Sequence, residues 1–337
     1  MLACKTDQSL KRLVNGKFQF PLGVYPIEEM TPKAGYTLLF ESADGGEDEE
    51  WEEWPDRYLF DAVVSNERLE SLVWSLFSLF PGRVYPILDV LGHDDFREID
   101  PYVSYDLIGL DRLMDSLRRY RDFFFEDGMC GFGAMTEEPF LYVFVDEHKI
   151  VTIRAQTDLK EKVERVLKAF DLEAIEEPAG ADSAAHEHRS VLLTPEADNQ
   201  AMSFDEVVAR LRDEWRLVLN IDPDSNVDDD GNDLHVTPWR CVVRIDDDPE
   251  KDPAFAEIYL TAESLRGAED TALEAVEGLL GPGKELPSDD TVDVVAFDRL
   301  AEDHAVELLG AKGKPGKKSG WEPGVVLRAR WLVPPDK

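Results

Sequence analysis

GMCGFGAMTEEPFLYVFVDEHKIVTIRA, residues 128–155, decides the fold class. Short apolar runs rich in Phe, Val, Tyr and Ile are broken at Glu137-Glu138-Pro139 and again at Asp146-Glu147-His148, so the stretch reads as successive antiparallel strands joined by polar turns. Upstream, RVYPILDVLG (83–92), RYLFDAVVS (57–65) and YTLLFES (36–42) read as further strands. Between them, Leu69, Leu72, Val73, Leu76, Phe77 and Phe80 recur at helical spacing behind Ser65 or Asn66 as cap, with Pro81-Gly82 as the stop. Residues 106–128 are mostly helix, with Leu110, Leu113, Met114, Leu117 and Phe124 on one face. A last helix starts at Asp158, with Glu161 three residues on, and buries Leu159, Val163, Val166, Leu167 and Phe170. Strands and helices interleave without a βαβ rhythm, which predicts an α+β fold of mostly antiparallel or mixed sheet packed with helices.

A chain of 337 residues exceeds what one core usually serves, so two domains are expected. The small, polar and aperiodic EEPAGADSAAHEHRS (176–190) suggests an N-terminal α+β domain over 1–175, a linker over 176–200 and a C-terminal α+β domain over 201–337. The latter opens with Ser203 and Glu206 as a capping pair before a helix carrying Val207, Leu211 and Trp215. Strands follow at 236–245, 256–262, 291–297 and 325–333, with helices to Leu280 and over 297–309. In the final strand Val325, Leu327, Ala329, Trp331 and Val333 share one face, and Arg328 and Arg330 the other.

The charge is the strongest compositional feature: 72 acidic against 36 basic residues, net -36. It belongs to both halves, with 35 acids and 19 bases up to Ile175 and 37 and 17 after it. Such a field repels phosphate backbones and anionic lipid heads, which argues against direct nucleic-acid binding and against a membrane platform. No run of about 18 apolar residues exists to span a bilayer. Cys4, Cys130 and Cys241 are odd in number and far apart, which suits a reducing, cytoplasmic setting.

Four groups of residues could carry function. LGHDDFREIDPY (91–102) gathers His93, Asp94 and Asp95 beyond a strand end; with Cys130 and His148 they could form a metal or acid/base site for a metal-assisted hydrolase. Cys130, among glycines, could also be a nucleophile, but a small apolar residue inside a bulged or tightly turned strand is the better reading. Asp224, Asn226, Asp228 and Asp230 imitate the start of a calcium loop. Thr237 stands where a bidentate Glu is needed, so an EF-hand is excluded; a solvated, hairpin-like turn is the better reading and a weakly held divalent cation the alternative, and no other cofactor is expected. His186-Glu187-His188 offers two imidazoles to a transition metal, but in a flexible linker they make a poor site and read as decoration.

The fourth group is DGGEDEEWEEWPD (44–56), eight of whose thirteen residues are acidic. Glu49, Glu50, Glu52 and Glu53 with Trp51 and Trp54 as anchors could present carboxylates at phosphate-like intervals. The composition as a whole favours a non-enzymatic protein-interaction module with a basic protein partner. The hydrolase, and a nucleic-acid mimic or immunity-type inhibitor of a basic protein, are the alternatives.

Overall fold

Residue periodicity sorts the chain into the elements seen in a computed structural model, which describes residues 4–43, 54–194, 197–198, 200–246, 253–281, 291–310 and 320–335. Among the described residues, seven helices and mostly antiparallel sheets make it an α+β protein. It divides into two units, one of Met1–Leu91 with Pro101–Asn220 and one of Gly92–Asp100 with Ile221–Lys337.

In the first unit the N-terminal arm supplies β1 (Val14–Asn15), β2 (Phe18–Gln19) and β3 (Val24–Pro26). Then come β4 (Gly35–Glu41), β5 (Arg57–Val63), α1 (Asn66–Phe77), β6 (Arg83–Leu91), β7 (Ile99–Val103), β8 (Ile108–Gly109), α2 (Leu110–Arg119) and α3 (Arg121–Phe125). β9 (Cys130–Thr136), β10 (Leu141–Val145) and β11 (Val151–Gln156) precede α4 (Lys160–Ala169), β12 (His186–His188), α5 (Phe204–Trp215) and β13 (Val218–Leu219). The large sheet runs β13-β7-β6-β9-β10-β11-β5-β4, and the opening stretch forms its centre: β9, β10 and β11 pair antiparallel, Val143 opposite Ala134 and Ile153. Gly133 faces the backbone of Val143 and Phe144 so closely that a Cβ there would lie 2.4 Å from the Val143 carbonyl oxygen, which explains the glycines around Cys130.

The stripe on α1 is buried as its spacing predicts: Leu69, Leu72, Val73, Leu76 and Phe77 join one core with Phe123, Phe124 and Phe132. Ser65 is the N-cap residue of α1, but its hydroxyl accepts from the Gln19 amide and not from the helix. The Asp158–Glu161 cap gives way to a 3-10 turn over Thr157–Leu159, after which α4 begins.

Two placements differ from the sequence expectation. Helix α5, read as the start of the second domain, is part of the first unit: Trp215 stacks on Phe124 with centroids 5.7 Å apart and donates to Ser116 Oγ at 3.2 Å. Its Ser203–Glu206 capping box forms as predicted, with bonds of 3.1 and 2.7 Å. The stretch expected as a linker is tied down between Ala179 and Val191. Ala179 and Lys33 exchange backbone bonds, β12 pairs with β3, and buried Asp127 accepts from Ser190 Oγ and the Val191 amide at 2.8 Å each. A polar, aperiodic composition shows that a segment builds no core of its own, and it leaves open whether backbone hydrogen bonds fix it to a neighbour.

The second unit contains β14 (Thr237–Ile245), β15 (Ala254–Ala262), α6 (Leu265–Leu280), β16 (Val292–Arg299), α7 (Glu302–Leu309) and β17 (Val325–Val333), the sheet running β16-β14-β15-β17. α6 packs across β14, β15 and β17, burying Ala268, Ala272 and Val276. The other face carries a charge ladder in which Glu257 takes Arg240 at 3.0 Å and Arg330 at 2.6 Å, and Asp298 takes Arg240 at 2.8 Å. Among the described residues no helix is long and apolar enough to cross a membrane.

Candidate metal centre

Two local rules build this site. β10 and β11 are joined by Asp146-Glu147-His148-Lys149, a turn closed by Asp146 Oδ1 accepting from the Ile150 amide at 2.7 Å and by Lys149 in the left-handed region (φ 68). Buried Lys149 donates from Nζ to the Cys130 carbonyl at 2.6 Å, fastening the turn to β9. In β12 the period of two puts His186 and His188 on one side and Glu187 on the other, where its carboxylate accepts from Tyr25 at 2.6 Å.

Gly23 and Gly128 let β12 come close: a Cβ on Gly23 would lie 2.1 Å from the Gly128 nitrogen. Arg189 bridges them, its amide donating to Gly23 at 2.8 Å and its carbonyl accepting from Gly128 at 3.2 Å.

The result is a triangle of imidazoles. His148, His186 and His188 have ring centroids 4.8–4.9 Å apart and planes inclined at 69–76°. One ligand nitrogen from each lies within 4.8 Å of the others, and Nε2 of His148 is 3.0 Å from Nε2 of His186. A tetrahedral zinc ion with bonds of about 2.0–2.1 Å holds its nitrogens about 3.3 Å apart, a spacing these values bracket.

The opposite nitrogens are all occupied. Nδ1 of His186 faces the Ala184 carbonyl and Nδ1 of His188 the Gly128 carbonyl, each at 2.8 Å. Nδ1 of His148 lies 3.2 Å from Glu147 and 3.4 Å from Asp146. Carbonyls only accept, so they assign the proton of His186 and of His188 to Nδ1 and leave an Nε2 lone pair on each of those rings, the tautomer that binds metal. At 3.0 Å from His148 Nε2, the His186 lone pair accepts a hydrogen bond when that nitrogen carries a proton and shares a metal ion with it once the proton has left.

Electrostatics divide the rings. Burial, reinforced by His148, His186 and Lys149 and opposed by the Gly128 carbonyl, holds His188 below the ordinary imidazole range. Burial also works against a charged His148, but Asp146, Glu147 and Asp182 outweigh it and raise that ring's pKa. Beside His148 lies a cavity of about 10 Å³, room for one water, lined also by Asn66, Val64 and Phe20. Nearby, Asp89 on β6 is pushed up to about 7 by burial and by the Glu147 charge.

The remaining sequence candidates have other occupations. His93, Asp94 and Asp95 belong to the second unit, Cys130 and His148 to the first. Asp94 is buried and grips Arg299 through the guanidinium at 2.9 and 3.0 Å and the amide at 2.8 Å, while Asp95 takes His304 Nδ1 at 2.8 Å. His93 is exposed. Cys130 is buried, donates its thiol to the Phe123 carbonyl, and is pushed up to about 12 by burial, far from a thiolate nucleophile.

In the 222–233 loop Asp224 pairs with Arg266 at 2.6 Å, and Asn226 is buried with its amide on the His235 carbonyl. Asp228 caps the turn through the amides of Asp230 and Asn232, and Asp230 continues that exposed turn. Glu49, Glu50, Trp51, Glu52 and Glu53 lie outside the described residues. Trp54 folds back onto its own unit, 4.9 Å from Phe140.

Both halves of the histidine site were visible in sequence, His148 as a ligand candidate and His186-x-His188 as a pair. No local rule joins residues 38 positions apart. No protein-family model, curated protein or solved structure matches this chain.

Proposed function

We propose that the first unit binds a divalent transition-metal ion of the zinc class through Nε2 of His148, His186 and His188. The observation that supports this most directly is the inward convergence of three imidazole nitrogens whose opposite nitrogens all face acceptors. Three nitrogens and no thiolate suit Zn²⁺, Cu²⁺ or Ni²⁺, and a fourth position remains for water. Bound there, the ion ties β12, and with it β3, to the turn between β10 and β11.

Zinc titration of the metal-free full-length chain by calorimetry tests this. The expected outcome is tight uptake, weakened on the order of 100-fold by His186→Ala or His188→Ala. Absence of uptake, or variants that bind like the parent, removes the proposal.

All three rings are half-buried and not sealed in the core, which favours metal-assisted hydrolysis as a second reading. In that reading His148 is a ligand, and the other candidates from sequence take no part. Zinc-dependent hydrolysis of an activated ester that disappears in His186→Ala supports it; equal rates in the two proteins dispose of it.

A further inference from the structure

We propose that His148 is shared by two ions: a second divalent cation is held by Nδ1 of His148 with the carboxylates of Asp146 and Glu147, so that the His148 ring bridges two metals. This rests on the three-histidine site of the preceding subsection.

The spacing is the first reason. Asp146 Oδ2 and Glu147 Oε1 stand 3.4 and 3.2 Å from His148 Nδ1, and the three ligand atoms lie within 4.8 Å of one another. A charge-assisted hydrogen bond from an imidazole to a carboxylate closes to about 2.7–2.9 Å. Neighbouring ligands about an ion with bonds of about 2.0–2.2 Å stand about 3.0–3.4 Å apart instead.

The second reason is an excess of negative charge, for Asp146 and Glu147 share the single imidazole of His148 as their ion-pair partner. Glu147 is mostly buried, and its charge acts on the carboxyl of Asp89, a side chain with no hydrogen bond or ion pair among the described residues. Asp89 and Asp146 both act on Tyr142 of β10, so three carboxyl groups gather on this side of His148. The adjacent cations are committed elsewhere: Lys149 Nζ donates to the Cys130 carbonyl at 2.6 Å, and the Arg154 guanidinium lies over the Tyr142 ring at 5.5 Å. Half-buried like charges are costly side by side, and a divalent ion between Asp146, Glu147 and His148 neutralises them.

The chemistry balances without a redox step. The first ion takes the Nε2 lone pair. The second takes the pair released when Nδ1 gives up its proton to solvent, and the ring becomes an imidazolate. Two nitrogens of one aromatic ring then connect the metals through its π system.

Copper titration of the metal-free full-length chain tests the bridge, in about 0.3 M NaCl with excess Mg²⁺ to occupy exposed carboxylates. Bound metal is counted after gel filtration, and the Cu²⁺ spin signal is followed by electron paramagnetic resonance. The bridged pair predicts two retained equivalents, with the signal rising through the first and falling at least twofold on the second as the spins couple through the ring.

Glu147→Gln alters a side chain with no hydrogen bond among the described residues beyond its contact with His148, and is expected to retain one equivalent with no fall in signal. One equivalent in the parent, two uncoupled equivalents, or coupled uptake that survives in Glu147→Gln each overturns the bridge and leaves the three-histidine site standing. Zero equivalents overturns both.

Discussion

At the scale of single residues, burial decides what a titratable group can do. Cys130 and Asp94 resemble catalytic groups in sequence, yet the thiol is shut in the core and the carboxylate is consumed by Arg299. Neither fate is visible without knowing what surrounds them. Asp89 gives a measurable consequence. Its carboxyl titrates at about 7 in the fold against 3.8 as the ordinary value, so between those pH values the folded state holds a proton that the unfolded chain has lost. Stability therefore falls as pH rises from about 4 to about 7, and the full penalty remains above that window. In chelator, Asp89→Asn is expected to flatten this slope and to stabilise the protein at pH 8 by on the order of 2 kcal/mol once solvent screening is allowed for. Denaturant midpoints at pH 5 and pH 8 check it; equal gains at both would show that the carboxyl is not the cause.

At the scale of elements, much was legible because local periodicity is a strong code. The stripe from Leu69 to Phe77, the three central strands and the Ser203–Glu206 capping box all follow from spacing alone. The ribbon of β3 and β12 was not legible. It is short, polar on one side, and formed by segments about 160 residues apart, so no window of sequence contains both partners. Its seating depends on the close approach of Gly23 and Gly128, which places the carbonyl that orients His188. Gly23→Ala pushes these backbones apart and is expected to lower zinc affinity about 10–100-fold, the usual effect of disturbing a group that orients a ligand. Calorimetry on the folded variant reads this directly. Unchanged affinity with native circular dichroism would show that the ribbon can shift without cost to the site.

At the scale of the whole molecule, the net charge of -36 has physical consequences apart from any site. Self-repulsion among exposed carboxylates works against the folded state and is screened by salt. Raising NaCl from about 0.05 to about 0.5 M is expected to raise Tm by about 2–5 °C, and a flat or falling Tm would mean that internal ion pairs such as Arg240–Glu257 outweigh the surface repulsion. The same charge is the basis for proposing a basic protein partner, whose association would weaken over that range. By itself the sequence determined the α+β class, most element boundaries, the acidic character and the lack of an apolar membrane-length run, because each depends on composition or on spacing within one short window. Only the tertiary structure decided that α5 joins the first unit, that residues 176–190 are fastened in place, and that His148 meets His186 and His188. Those outcomes depend on which distant segments share a core or a hydrogen-bond ladder, and nothing in any one segment's own spacing encodes its neighbour.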